Sequence, residues 1–328
     1  MRPFGILNLV VVIGATVFVV GGLHLMEQDY LDFLTFVFSG PLILITLLGF
    51  WTTVRGKLSP SRGKQLSGLI EVALVGGMAL ALFVTPLVVI AGFDIHEMLY
   101  AGMGSLIIAA FAQMYILSHS GKSGGGYRNK SGSAGPIRLF SHRYTSLMAS
   151  FVVIGVAVSV VLHYEFLSVT QNRFPGGQEL VEFLGFFLGI GVLLAWILKR
   201  FLFHWIKSKF GIRITLLLLP VVLLLLTILA SIFSEGYGYG GGIQMFAYFF
   251  LLVVLSNLFS RSMKESMEHP SMNLIYQSLN TRERENIQSG IEGVFSQFGV
   301  FATGLFLSLF VMLQFVEFYH VSYVLFVL

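Results

Sequence analysis

Apolar residues in this chain fall in blocks rather than in an alternating or amphipathic pattern. The first, FGILNLVVVIGATVFVVGGL over residues 4–23, carries no charge. Further blocks occupy 33–53, 66–91, 98–117, 143–164, 179–198, 213–233, 243–260 and 289–314. About 20 apolar residues rising about 1.5 Å each cross a hydrocarbon core of about 30 Å, so each block predicts a transmembrane helix. The first exceeds the roughly 7–15 residue core of a signal peptide and has no small-residue cleavage site after it. A last apolar run, 318–328, is too short to cross. It is expected to belong to a helix that continues past the given sequence, the alternative being a re-entrant segment.

The polar intervals alternate in sign. Residues 24–32 hold Glu27, Asp29 and Asp32, and 54–65 hold Arg55, Lys57, Arg62 and Lys64. Residues 92–97 are acidic; 118–142 are basic through Lys122, Arg128, Lys130 and Arg138. Lys199, Arg200, Lys207 and Lys209 make 199–212 basic, whereas 234–242 hold only Glu235. Basic loops stay in the cytoplasm, so the N-terminus, the 119–142 segment and the 273–288 stretch are expected there, in a bacterial inner membrane. The stretch NLIYQSLNTRERENIQSGIEG, residues 273–293, is read as a cytoplasmic loop that ends as the first turn of a membrane helix.

Composition agrees with this class. Hydrophobic residues make up 56% and charged residues 11%, against about 45–50% and about 25% in soluble domains. Absence of cysteine excludes disulfides, thiol catalysis and Cys-ligated metal. The net charge of +4 follows from basic loops and does not imply nucleic acid. His24, His96, His119, His142 and His204 lack metal-ligand spacing. Gly121-Lys122-Ser123 is no phosphate-binding loop, because position 116, where that motif needs Gly, is Ile116. No paired-carboxylate or Ser/His/Asp pattern appears, so no enzyme and no cofactor are expected.

Residues 119–142 are Gly/Ser-rich and basic, which predicts a flexible linker. It separates an N-terminal half, 1–118, with four spans from a C-terminal half, 143–328, with five full spans and an incomplete sixth. Pro86 and Pro220 predict kinks of the kind membrane helices tolerate. Gln113, Gln244 and Gln297 suit hydrogen bonds between helices.

Several segments resemble one family in order and spacing. GFWTTVRGKLSPSRGKQLSGLI (49–70) is similar to the link between the fourth and fifth helices of the ATP/ADP translocase-like branch of the major facilitator superfamily. YEFLSVTQNRFPGGQELVEFLGFF (164–187) resembles its link from the seventh helix to the eighth, and FGIRITLLLLP (210–220) the start of its ninth. NLIYQSLN resembles its Leu-Tyr-Gln-Pro-Leu loop, with Ser278 in place of the Pro. The resemblance implies an all-α, polytopic major-facilitator-like bundle with about ten of twelve helices present, the first two lacking a counterpart. Glu71 and Ser278 depart from the branch pattern, so nucleotide specificity does not carry over. RGKQLSGLIEVALVGG (62–77) and RENIQSGIEGVFSQFG (284–299) read as an internal repeat, placing Glu71 and Glu292 at equivalent positions of two parallel repeats.

Two function classes follow. One is a secondary transporter of a small polar or anionic solute, working by alternating access. The other is a transporter-derived scaffold or sensor that anchors partners without transport. Besides the lipid bilayer, candidate partners are other membrane subunits or a fused soluble domain. Glu71, Glu292, Glu182 and Gln297 are the candidate substrate- or ion-binding residues, because ionisable and amide groups inside apolar helices are costly there. The bland alternative for Glu71 and Glu292 is a pairing with basic residues of the adjoining loops, helped by the positive N-terminal end of each helix. Against anion transport, the spans as delimited contain no Lys or Arg well inside them.

Overall fold

The computed structural model describes residues 60–93, 101–102, 104–109, 111–112, 114–115, 143–238, 242–277, 279, 284 and 287–312, together with the isolated Gly14. No strand occurs among them. The helices are α1 (Pro60–Ile90), α2 (Arg143–Arg173), α3 (Gly177–Ile197), α4 (Phe203–Gly238), α5 (Gly242–Met263), α6 (His269–Gln277) and α7 (Ser296–Met312). Three wider π turns join or precede them: Leu198–Leu202 between α3 and α4, Lys264–Glu268 between α5 and α6, and Gly290–Phe295 before α7. Five stretches are long and apolar enough to cross a membrane: Val72–Ile90, Tyr144–Arg173, Gly177–Phe233, Met245–Gln277 and Ile287–Phe310.

Local chemistry sets the boundaries. α2 stops where Phe174-Pro175-Gly176-Gly177 supplies a proline and two glycines, and the Phe174 N–H still donates to the Thr170 carbonyl at 2.9 Å. Glu179 in the first turn of α3 complements the positive end of that helix. α4 contains a break at Gly211, with φ 80° and ψ 175°, a conformation only glycine adopts without strain. Residues from both sides of this kink, Phe203 and Ile206 before it and Leu219 and Leu223 after it, share one apolar cluster.

The predicted spans at 66–91, 143–164, 179–198, 213–233, 243–260 and 289–314 each fall on helix, and the described residues of 98–117 are helical. The expectations for 4–23, 33–53, 318–328 and the 119–142 linker lie outside the described residues. Two expected loops are corrected. Residues 203–210 of the basic interval 199–212 are helical beyond a π turn, and 273–277 of the stretch read as a loop lie in α6. A charge ends the hydrocarbon-compatible part of a helix but not its backbone hydrogen bonding. Only a residue such as Gly211 does that.

The chain groups into two compact units. One comprises Met1–Gly76 and Val88–Asn129, and its described residues are the flanks of α1 and the helical residues between 101 and 115. The other comprises Gly77–Leu87 and Lys130–Leu328. Within this second unit α2 lies against α5 and α6, and named contacts give the sense of the pair. Asn257 reaches Leu162, Lys264 reaches Ser159, and Glu268 lies beside Gly155. The numbers fall on α2 as they rise on α5–α6, so the two run antiparallel.

Three apolar clusters line this contact. Phe166, Val169, Phe187, Phe249 and Val253 pack at one end, with the Phe166 and Phe187 rings stacked at 4.5 Å. Val161, Leu162, Met263, Met267 and Leu307 follow. Met148, Ala149, Met272, Tyr276 and Ile291 close the other end. The opposite helix faces are apolar and exposed, as for Leu217 and Leu225 of α4, which suits them to lipid. Close approach occurs where the middle of α1 meets α3. Pro86 has no N–H for the Leu82 carbonyl, and Gly185, lacking a side chain, packs directly on that carbonyl and the Pro86 ring.

Candidate functional site

α5 and α6 carry a polar stripe on the face turned to the bundle. Ser256, Asn257, Ser260 and Ser262 are buried, and so are Ser266, Glu268 and Ser271 further on. Spacings of three and four keep such residues on one helix face. The π turn at Lys264–Glu268 holds one extra residue per turn and shifts that register, a device found often at functional sites.

Two of the hydroxyls have backbone partners. The Ser256 hydroxyl donates to the Leu252 carbonyl at 2.8 Å, and the Ser262 hydroxyl to the Gly191 carbonyl of α3 at 3.0 Å. The Asn257 amide donates to the Leu162 carbonyl at 3.4 Å. The charged part is built as a relay. Lys264 Nζ donates to Ser159 Oγ at 3.2 Å, and Ser159 Oγ donates to the Gly155 carbonyl at 2.8 Å. One turn further, Glu268 Oε1 lies 3.8 Å from the position that a Cβ on Gly155 would take. Gly155 therefore leaves room for the carboxylate, and Ser159 orients the ammonium.

Lys264 and His269 are the cations, and Glu265 the anion, that act electrostatically on the Glu268 carboxylate. Glu265 faces outward, 3.8 Å from His269 Nε2 in an exposed pair. The inward charges are thus Lys264, half-buried, and Glu268, 8% exposed. Asn257 Oδ1, Ser266 Oγ, Ser271 Oγ and Tyr276 Oη are buried and make no hydrogen bond to protein among the described residues. His163 Nδ1 is in the same condition, with the Arg261 charge close enough to act on its ring.

The depth of this seam follows from helix length. Met245–Gln277 is 33 residues long, which at about 1.5 Å per residue gives about 50 Å. The hydrocarbon core takes about 30 Å. A hydrocarbon core entered at Met245 would end near Lys264 and Glu268. A charge costs less there than at the centre, where insertion scales assign about 2.5–3.5 kcal/mol. Lys264, which donates to a hydroxyl of α2, and the buried Glu268 one turn further on put a donor and an acceptor of opposite charge type on the same inward face.

Of the four residues expected from the sequence, three have described side chains. Glu71 lies in α1, its side chain outside the described residues. Glu182 is half-buried in α3, and Gln297 is exposed on α7. Neither hydrogen-bonds to Glu292 among the described residues. Glu292 is exposed on the π turn before α7 and accepts from Gln288 Nε2 at 3.2 Å; the same nitrogen lies 3.3 Å from Asn273 Oδ1 of α6. Glu292 thus belongs to a polar link between α6 and α7 rather than to the seam.

The expected span 243–260 stops short of Lys264 and Glu268, and Ser159, inside the expected span 143–164, carries no sign in the sequence of a partner on another helix. Arg261 and Lys264 lie just past that span yet on one continuous helical stretch, where Lys264 donates to Ser159 of α2. The available signal was the polar series Asn257, Ser260, Lys264, Glu268 and Ser271, interleaved with Val253, Met263, Met267 and Leu274. No protein-family model, curated protein or solved structure matches the chain.

Proposed function

We propose that the chain is an integral membrane protein of the major facilitator type that carries a small polar or anionic solute by alternating access, with Lys264, Ser159 and Glu268 as a solute-binding station. The observation that carries this proposal is the inward Lys264–Ser159 contact beside the buried Glu268, at the edge of the hydrocarbon layer. A lipid-facing or purely structural helix has no use for two opposite charges turned towards its neighbour. Replacing such a pair by apolar residues is often neutral or stabilising, so its presence points to a role in binding or specificity.

The test is uptake into proteoliposomes of a panel of small carboxylates, phosphate esters and zwitterions. Saturable uptake by the wild type, reduced at least tenfold in Lys264→Met and Glu268→Gln with unchanged solubility and helicity, is the expected result. Uptake that persists in both variants removes the station from the transport path. If no member of the panel is carried and a membrane subunit co-purifies, the chain is the scaffold of the second class.

A further inference from the structure

The junction of α3 and α4 carries a second pattern that the seam does not use. No acidic residue occurs between Glu182 and Glu235, while Lys199, Arg200, Lys207, Lys209 and Arg213 fall within 15 positions. This positive charge has no acid close to it along the chain. The inner face of the same helical segment is fixed: Leu198, Leu202, Phe203 and Ile206 pack into the apolar cluster shared with α2 and α5.

Its outer face is aromatic as well as basic. Phe201 is 68% exposed, Trp205 53% and Phe210 47%. Lys209 Nζ lies 5.2 Å from the Trp205 ring centroid and 5.7 Å from that of Phe210, within reach of the cation–π attraction. Phe201, Trp205 and Lys209 are spaced by four, one above another on the helix surface. Gly211 then ends the segment with its positive φ.

Neither water nor hydrocarbon suits this face. Water would hydrate three large rings, and hydrocarbon would strip the ammonium and guanidinium groups. The headgroup layer accommodates both, which is why Trp and Tyr gather there and why Lys and Arg reach into it. Counted from Gly177, about 20 residues fill the hydrocarbon core, so the segment begins where that layer starts.

We infer that the outer face of Leu198–Phe210 is a binding site for anionic phospholipid headgroups, with Lys209 beside Trp205 as the phosphate contact, Arg200 and, past the Gly211 break, Arg213 adding positive charge around it, and the glycerol and upper acyl region against Trp205 and Phe201. Charge complementarity selects the occupant: each basic residue near an anionic leaflet strengthens partition about fivefold at low salt. The inference rests on the membrane-embedded placement in the proposed function and not on transport, so failure of the uptake assay leaves it standing.

The full chain, in a Trp51→Phe, Trp196→Phe background that keeps Trp205 as sole tryptophan, is reconstituted with brominated phosphatidylglycerol or brominated phosphatidylcholine. Quenching by the phosphatidylglycerol is expected to exceed that by phosphatidylcholine about two- to fivefold at low salt, and to fall towards equality at about 1 M salt, where the Debye length is about 3 Å. Lys209→Gln and Arg200→Gln should each reduce the excess without altering quenching by phosphatidylcholine. That unchanged value certifies that Trp205 still sits at the interface. Equal quenching by both lipids at low salt would overturn the inference. So would an excess that survives the combined Arg200→Gln, Lys209→Gln, Arg213→Gln variant, or one abolished by millimolar glycerol phosphate, which would mark a soluble phosphate ligand instead.

Discussion

Replacing Gly185 with alanine should destabilise the second unit, and the size of the effect can be worked out from its surroundings. A Cβ at Gly185 would lie 2.7 Å from Pro86 Cδ, 3.0 Å from Pro86 Cγ and 3.2 Å from the Leu82 carbonyl oxygen. None of these atoms is the far end of a flexible side chain. The proline ring is fixed to the backbone of α1, so the helices must separate locally or α1 must bend further. Overpacking of this kind costs about 1–3 kcal/mol. The alanine recovers about 0.5–1 kcal/mol through helix propensity, so the net loss lies between about 0 and 2.5 kcal/mol and centres on about 1 kcal/mol. Gly293, with nothing within 4 Å of its Cβ position, serves as the control. Gly293→Ala should be neutral or stabilising by up to about 1 kcal/mol. The assay is equilibrium unfolding in mixed micelles by rising sodium dodecyl sulfate, followed by circular dichroism, with both variants and the wild type side by side. An unfolding midpoint for Gly185→Ala at or above that of the wild type would refute the close approach of α1 and α3. A fall for Gly293→Ala as large as that for Gly185→Ala would show that glycine flexibility, not contact, is being measured.

Gly155→Ala should leave stability within about 0.5 kcal/mol and uptake in proteoliposomes unchanged, since its Cβ would meet Glu268 Oε1 at an ordinary 3.8 Å without displacing the carboxylate. Ser159→Ala removes the oxygen that accepts from Lys264 at 3.2 Å and should cost about 1–2 kcal/mol in the same unfolding assay, with apparent solute affinity falling at least fivefold. Glu292→Gln should unfold within about 0.5 kcal/mol of the wild type and leave uptake unchanged, because Glu292 is exposed and an amide oxygen can still accept from Gln288. A cysteine introduced as Ser133→Cys, in a chain with no native cysteine, should react with an impermeant maleimide only after membranes are opened; ready labelling of intact cells would reverse the orientation drawn from the basic loops.

The apolar blocks alone determined that the chain is helical and where most helices lie. An uncharged run of about twenty residues has one low-energy form in hydrocarbon, where each backbone N–H and C=O must be bonded within its own segment. Gly211 and the Phe174-Pro175-Gly176 turn were likewise open to reading as breaks, because glycine and proline act on their own backbone. Glu292 was legible as a polar residue in an apolar helix, but the link that its donor Gln288 makes to Asn273 was not, since Asn273 comes from another helix. The seam was hidden for two physical reasons. Charge marks the edge of the hydrocarbon and not the end of a helix, so Lys264 and Glu268 fall outside the expected span 243–260 although the helical stretch runs on to Gln277. Which face of that stretch turns inward depends on the π turn and on the antiparallel contact with α2. Ser159 and Gly155 stand about a hundred positions away from Lys264 and Glu268 in sequence, and only the packing of α2 against α5 brings them within reach.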